Sequence, residues 1–259
     1  MNLEELLQFN LVLFFLILSR WAGMVMLAPV FGARGVPKLV KLGLTVGFSI
    51  VVYPLILAAS PQIPNELLPF IGVLIKEVLI GLVLGFLINL VTSIMQGAGQ
   101  LIDFQIGFMM GSTVDPIHGT QSPMTGNFLM VITTMILLST NAHHYIIAAM
   151  VKSYEYIPIT PTGVSGGGMY FINITSTVIA LSLQIAMPIY GVLFIVNIGV
   201  GLLAKTVPQL NMFSVIFPVK IIFGLVLLVL MLPYFGESVS SAFNMTMTWI
   251  YELFRGWSQ

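Results

Sequence analysis

Arg20, Lys76 and Glu77 are ionisable residues set deep inside apolar runs. A charge at the centre of a bilayer costs roughly 2.5–3.5 kcal/mol on insertion scales. Such residues therefore face protein or water, and they serve either a function or an ion pair that fixes helix register. Lys76 and Glu77 are neighbours, so they point in different directions and each needs a partner on another helix; Arg20 with Glu77 is one candidate pair. Asp103 and Asp115 come next, because two carboxylates can carry acid–base proteolysis within a membrane. Both fall in one glycine-rich segment rather than on opposed helices, which disfavours that chemistry. His143 and His144 are adjacent and cannot share a helical face as metal ligands would; they fit a helix end. No His-Glu-x-x-His, Gly-x-Ser-x-Gly or Walker loop occurs.

The chain that must position these residues is 259 residues long, 58% hydrophobic and 7% charged, with a mean hydropathy of +1.05. A soluble domain is usually about 25% charged, so lipid or neighbouring protein must cover this exterior. The formal net charge is zero, which leaves no electrostatic footprint for nucleic acid. There is no cysteine for a disulfide or a thiolate metal site, and no cofactor is implied. Six apolar stretches, about 6–31, 39–60, 67–95, 124–150, 169–204 and 213–235, are near or above the length that crosses hydrocarbon. The expected fold is therefore all-α, a hydrophobic multi-helix membrane-associated protein of interrupted helical hairpins.

The first stretch follows an acidic lead, Glu4 and Glu5, which suits a helix N-terminus, and reads as a retained helix. Pro188 interrupts the fifth, as two helices or one bent helix. A shorter amphipathic tail, 237–257, carries Trp249, Tyr251, Phe254 and Trp257, aromatics suited to a lipid–water boundary or a subunit contact. If all six stretches crossed simply, Arg34, Lys38, Lys41 and Lys205 would share one side, with Lys152 and Arg255 opposite. That asymmetry places both chain ends outside the cytoplasm, and its weakness suggests that some stretches are not ordinary spans.

Small residues follow Glu77 at intervals of four: Gly81, Gly85, Asn89, Ser93 and Gly97. Gly81 and Gly85 form a small-xxx-small motif that lets two backbones approach closely. Beyond them, residues 99–123 hold glycines, Met109 and Met110, and no lysine or arginine; this segment reads as apolar but not helical. Ile106, Phe108, Met109 and Met110 supply adaptable bulk, and Gly107, Gly111 and Gly119 supply backbone freedom. Asp103 and Asp115 flank it, as anchors or as solvated acids. A re-entrant loop buried among helices is the plainer reading of the segment.

Lys205-Thr-Val-Pro208-Gln209-Leu-Asn211-Met-Phe213, followed by Phe217-Pro-Val-Lys-Ile-Ile-Phe-Gly224, resembles the Pro-Gln-x-Asn-x-Phe signature of the FliR family. Arg20-Trp-Ala-Gly-Met-Val-Met-Leu-Ala-Pro29, Glu77-x-x-x-Gly81-x-x-x-Gly85 and Ala98-Gly-Gln-Leu-Ile-Asp103-Phe-Gln-Ile-Gly107 are similar to that family in the same order. The resemblance implies a non-enzymatic subunit of the flagellar type III export gate in the bacterial inner membrane, at the flagellar basal body. It implies FliP, FliQ and FlhB as partners, unfolded flagellar proteins as cargo, and membrane lipid around the assembly. It further implies a FliP-like part over 1–160, a flexible junction near 160–168, and a FliQ-like helical hairpin with tail over 169–259. Helices of the assembly would be lifted out of the bilayer plane. The loop Ile106–Thr120, which includes Gly111, would plug the pore, where apolar constrictions gate by dewetting. Pro208, Gln209 and Asn211 would form a turn that satisfies backbone groups locally or in an adjacent subunit. The competing function is a small-molecule secondary transporter, which calls for internal symmetry and a compact polar site; neither is visible.

Overall fold

A computed structural model describes residues 3–33, 35–59, 61, 64, 66–108, 123–161, 168–206 and 212–257. Among the described residues all regular structure is helical: α1 (Leu3–Leu27), α2 (Lys38–Ala58), α3 (Leu67–Ile106), α4 (Met124–Ser139), α5 (Ala142–Tyr156), α6 (Gly168–Thr206), α7 (Met212–Leu230) and α8 (Leu232–Trp257). Helices satisfy their own backbone groups, which an apolar surround demands. Hydroxyls inside them return to the preceding turn: Thr45 Oγ1 donates to the Lys41 carbonyl, Ser49 to Thr45 and Thr133 to Leu129. These bonds hide polar atoms without breaking the helix.

Four helices are long and apolar enough to cross a membrane, within Asn10–Leu27, Lys38–Ala58, Leu67–Ile106 and Gly168–Leu203. Two pairs qualify only when joined across a bend, α4 with α5 and α7 with α8. The 40 residues of α3 would reach about 60 Å at 1.5 Å per residue, about twice a hydrocarbon core of ~30 Å. Pro188 lies within a single continuous helix, α6.

The segment expected to be non-helical from Gly99 onward is corrected over its first part, because α3 continues to Ile106. Glycine in a helix costs about 1 kcal/mol relative to alanine, which suggests a break. Here Gly99 makes room instead: a Cβ on it would sit 2.5 Å from the Gly126 Cα of α4.

Packing groups the chain into two units, one of 1–90, 138–171 and 243–259, the other of 91–137 and 172–242. The units interleave in sequence. In the first unit α1 and α3 pack backbone to backbone. A Cβ on Gly81 would collide with the Arg20 carbonyl, one on Gly85 would lie 2.8 Å from the Met24 carbonyl, and one on Gly23 would lie 2.7 Å from that of Val78. Trp21 is fully buried and stacks on Phe48 of α2 at 4.7 Å. In the second unit Ser182 Oγ of α6 donates to the Ile94 carbonyl (3.1 Å) and Ile106 fills the space beside Gly224 of α7.

Gly81→Leu and Gly85→Leu should each exceed the roughly 1–3 kcal/mol typical of overpacking, because the atoms met are backbone. Gly43→Leu, where nothing lies within 4 Å, should be close to neutral. Thermal aggregation midpoints of the detergent-purified assembly would check both.

Candidate functional site

In the first unit one guanidinium ties three helices together. Arg20 and Glu77 are both fully buried. Arg20 Nε donates to Glu77 Oε2 at 2.6 Å and Nη2 to Oε1 at 2.9 Å, a two-pronged ion pair between α1 and α3. Its remaining donors reach α5 and the residues just after it: Nη1 to Ser153 Oγ (3.0 Å) and Nη2 to the Ile157 carbonyl (2.9 Å). The guanidinium also lies 4.1 Å from the centre of the Tyr154 ring. A buried ion pair recovers its desolvation cost only when its spare donors and acceptors are satisfied, and these contacts do that.

Lys76 points elsewhere, as helical neighbours must. Its Nζ donates to the carbonyls of Thr160 (2.9 Å) and Pro158 (3.2 Å). Arg20 and Lys76 thus hold three carbonyls over 157–160, just past α5, where helix-end carbonyls attract cations. Gly81 and Gly85 lie one and two turns along α3 from Glu77, against α1; Asn89 is half-buried farther along.

In the second unit the Asp103 carboxylate, read from the sequence as an anchor or a solvated acid, is structurally central. Asp103 is fully buried. Thr125 N lies 3.0 Å from both of its oxygens, and Gly126 N donates to Oδ2 at 3.3 Å. α4 has no acidic residue in its own first turn, so Asp103 supplies the negative group that a helix N-terminus favours. The backbone carbonyl of the same residue accepts from Gly107 N (3.0 Å) and Phe108 N (3.1 Å) and closes the end of α3. Gly107 adopts φ +97°, the left-handed turn that glycine supplies at helix ends. One residue thus fixes the end of α3 and the start of α4. The sequence signal for this role is an acid on one helix and a following helix that lacks its own cap.

Ile106 is the last residue of α3 and fully buried, and Phe108 is half-buried. Met109, Met110 and Gly111, Asp115, and the turn residues Pro208, Gln209 and Asn211 lie outside the described residues. His143 and His144 stand at the start of α5 with ring centres 4.3 Å apart. Among the described residues no three His, Asp or Glu side chains gather as a metal site would require.

Residues 11–246 match the family of bacterial export proteins, family 1. The flagellar biosynthetic protein FliR of Bacillus subtilis (strain 168) is 30% identical over 238 residues, covering 90% of this chain and 91% of that protein. The chain belongs to the FliR family of bacterial export proteins. Another FliR-family relative, the flagellar biosynthetic protein FliR of Escherichia coli (strain K12), is 27% identical over 238 residues, 90% of this chain and 88% of that one. Likeness extends beyond proteins with flagellar names: Yop proteins translocation protein T of Yersinia pestis is 26% identical over 251 residues, 95% of each chain.

Removing one partner of a buried ion pair strands the other, at roughly 3–5 kcal/mol, so Arg20→Ala and Glu77→Ala should each sharply lower the thermal midpoint in detergent. Asp103→Ala should cost about 1–3 kcal/mol, the desolvation penalty of the amides left bare. Hydrogen exchange should locate that loss at the Thr125 and Gly126 amides.

Proposed function

We propose that the chain is a subunit of the flagellar type III export gate in the inner membrane. It helps form the channel through which unfolded flagellar proteins leave the cell, without enzymatic activity of its own. The observation that carries this reading is membership of an export-protein family over nearly the whole chain. FliP and FliQ are its sister subunits and FlhB contacts the assembly. The part over 1–160 is FliP-like, and 169–259 contributes a FliQ-like hairpin and tail. The exposed apolar side chains on α2 and α6, such as Leu39, Val51, Met187 and Ile195, support a chain built for cover by sister subunits and lipid.

Within this gate the buried charges form a brace rather than a transport site. Their partners are a carboxylate, a serine hydroxyl and backbone carbonyls, which leave the pair no role in moving cargo. The Gly- and Met-rich stretch after α3 is the plug. Its composition supports that role: Phe108, Met109 and Met110 for water exclusion, Gly107 and Gly111 for backbone freedom. Ile106, buried against Gly224, is the fixed root of the plug.

Replacing Met109–Thr120 with a glycine–serine linker of equal length should raise resting ion leak in cells carrying the whole gate, while FliP and FliQ still co-purify. An intact assembly with no added leak would remove the plug from the account.

A further inference from the structure

The chain leaves α3 through Gly107 and Phe108 and enters α4 through Pro123. Both feet of the intervening stretch are tied to one residue. The returning foot is held by the Asp103 carboxylate, which accepts from Thr125 N and Gly126 N. The outgoing foot is held by the Asp103 carbonyl, which accepts from Gly107 N and Phe108 N. A carboxylate is the stronger kind of acceptor. The outgoing foot has only one neutral oxygen shared between two amides, so its direction depends on what packs against it.

What packs against it is α7, far along the sequence but in the same unit. A Cβ on Gly107 would lie 2.8 Å from Phe217 Cε1 and 3.2 Å from Cδ1. The edge of the Phe217 ring thus lies against the bare backbone of the turn. Gly224 in its turn receives Ile106: the three heavy atoms nearest to a Cβ on Gly224 all belong to the Ile106 side chain, the closest at 2.5 Å. Phe217 and Gly224 are about two turns apart on one face of α7. Each helix therefore offers a glycine to a side chain of the other, and a substituent on either glycine would push α7 away from the end of α3.

The two contacts differ in firmness. Ile106 is fully buried, whereas Phe217 is half-buried. Pro218 lies between Phe217 and Gly224 within α7. It has no N–H to give to the Ser214 carbonyl, so the turn that carries Phe217 has one helix bond fewer. With Ile106 seated, the path of the chain is decided at Gly107, whose φ of +97° lies where glycine is least restricted. A bulky ring on one side of that glycine removes much of its freedom.

We infer that Phe217, together with Gly224, is a positioning residue for the stretch after Phe108. α7 sets the direction in which that stretch leaves α3, so the placement of α7 governs how well the conduit is sealed at rest. This rests on the plug reading above and adds to it the element that controls the plug. Phe217→Ala should raise hydrogen exchange at the Gly107 and Phe108 amides at least ~10-fold in the purified assembly. It should leave the Thr125 and Gly126 amides unchanged and raise resting ion leak in cells carrying the whole gate. Phe217→Tyr keeps the ring and should match the unaltered gate in both measurements. If Phe217→Ala disturbs assembly, Gly224→Ala reads the same clasp and should open the same amides, because its added methyl meets a side chain and not backbone. Gly107 and Phe108 amides that stay as protected as in the unaltered gate would overturn the inference. Amides that open with no added leak, beside a gate that does leak when Met109–Thr120 is a glycine–serine linker, would overturn it and leave the plug standing. A linker gate that does not leak removes the plug, and this inference with it.

Discussion

The structure turns on the Arg20–Glu77 ion pair and the close contact of α1 with α3 that carries it. The pair has its geometry because Gly81, one turn from Glu77, presents no side chain to the Arg20 carbonyl. The guanidinium then has donors left for the end of α5, and Lys76, on the neighbouring face of α3, takes the carbonyls that follow. Arg20 and Glu77 would be costly in an apolar interior, and half-buried Lys76 stands at its edge. They are tolerated because helix-end carbonyls and a serine hydroxyl complete their coordination. The first unit is therefore held by a small polar core at the crossing of three greasy helices.

That arrangement suits a subunit with little polar exterior to spare. Apolar side chains on α2, α4, α6 and α7 are left uncovered by the chain itself, so burial of lipophilic surface cannot by itself distinguish inside from outside. Charged contacts can, because only one packing satisfies them. The Asp103 carboxylate plays a comparable part in the second unit, where it fixes the start of α4 beside the end of α3. These two polar anchors fix their helices in place.

Much of the helical layout is legible in the sequence, since long apolar runs must satisfy their backbone internally. The seam at Gly81 and Gly85 is legible for the same kind of reason, because repeated small residues imply a close neighbour. The extension of α3 past Gly99 is not, because glycine looks like a breaker until Gly126 is seen to occupy the space it leaves. The partners of Lys76 are backbone carbonyls, which carry no side-chain signature. The bends inside 124–150 and near 231 are hidden by continuous hydropathy. Asp103 sits in a segment whose glycines suggest a loop, so its place on a helix, facing another helix start, is visible only in three dimensions.

The central claim is that the buried charges hold the gate together and take no part in transport. The most direct test is the double variant Arg20→Met, Glu77→Met, compared with each single change for assembly of the gate and for export of flagellar protein. Neutralising both partners removes the stranded charge that either single change leaves, so the account predicts that assembly and export recover together. A double variant that assembles like the unaltered gate yet exports nothing would contradict it.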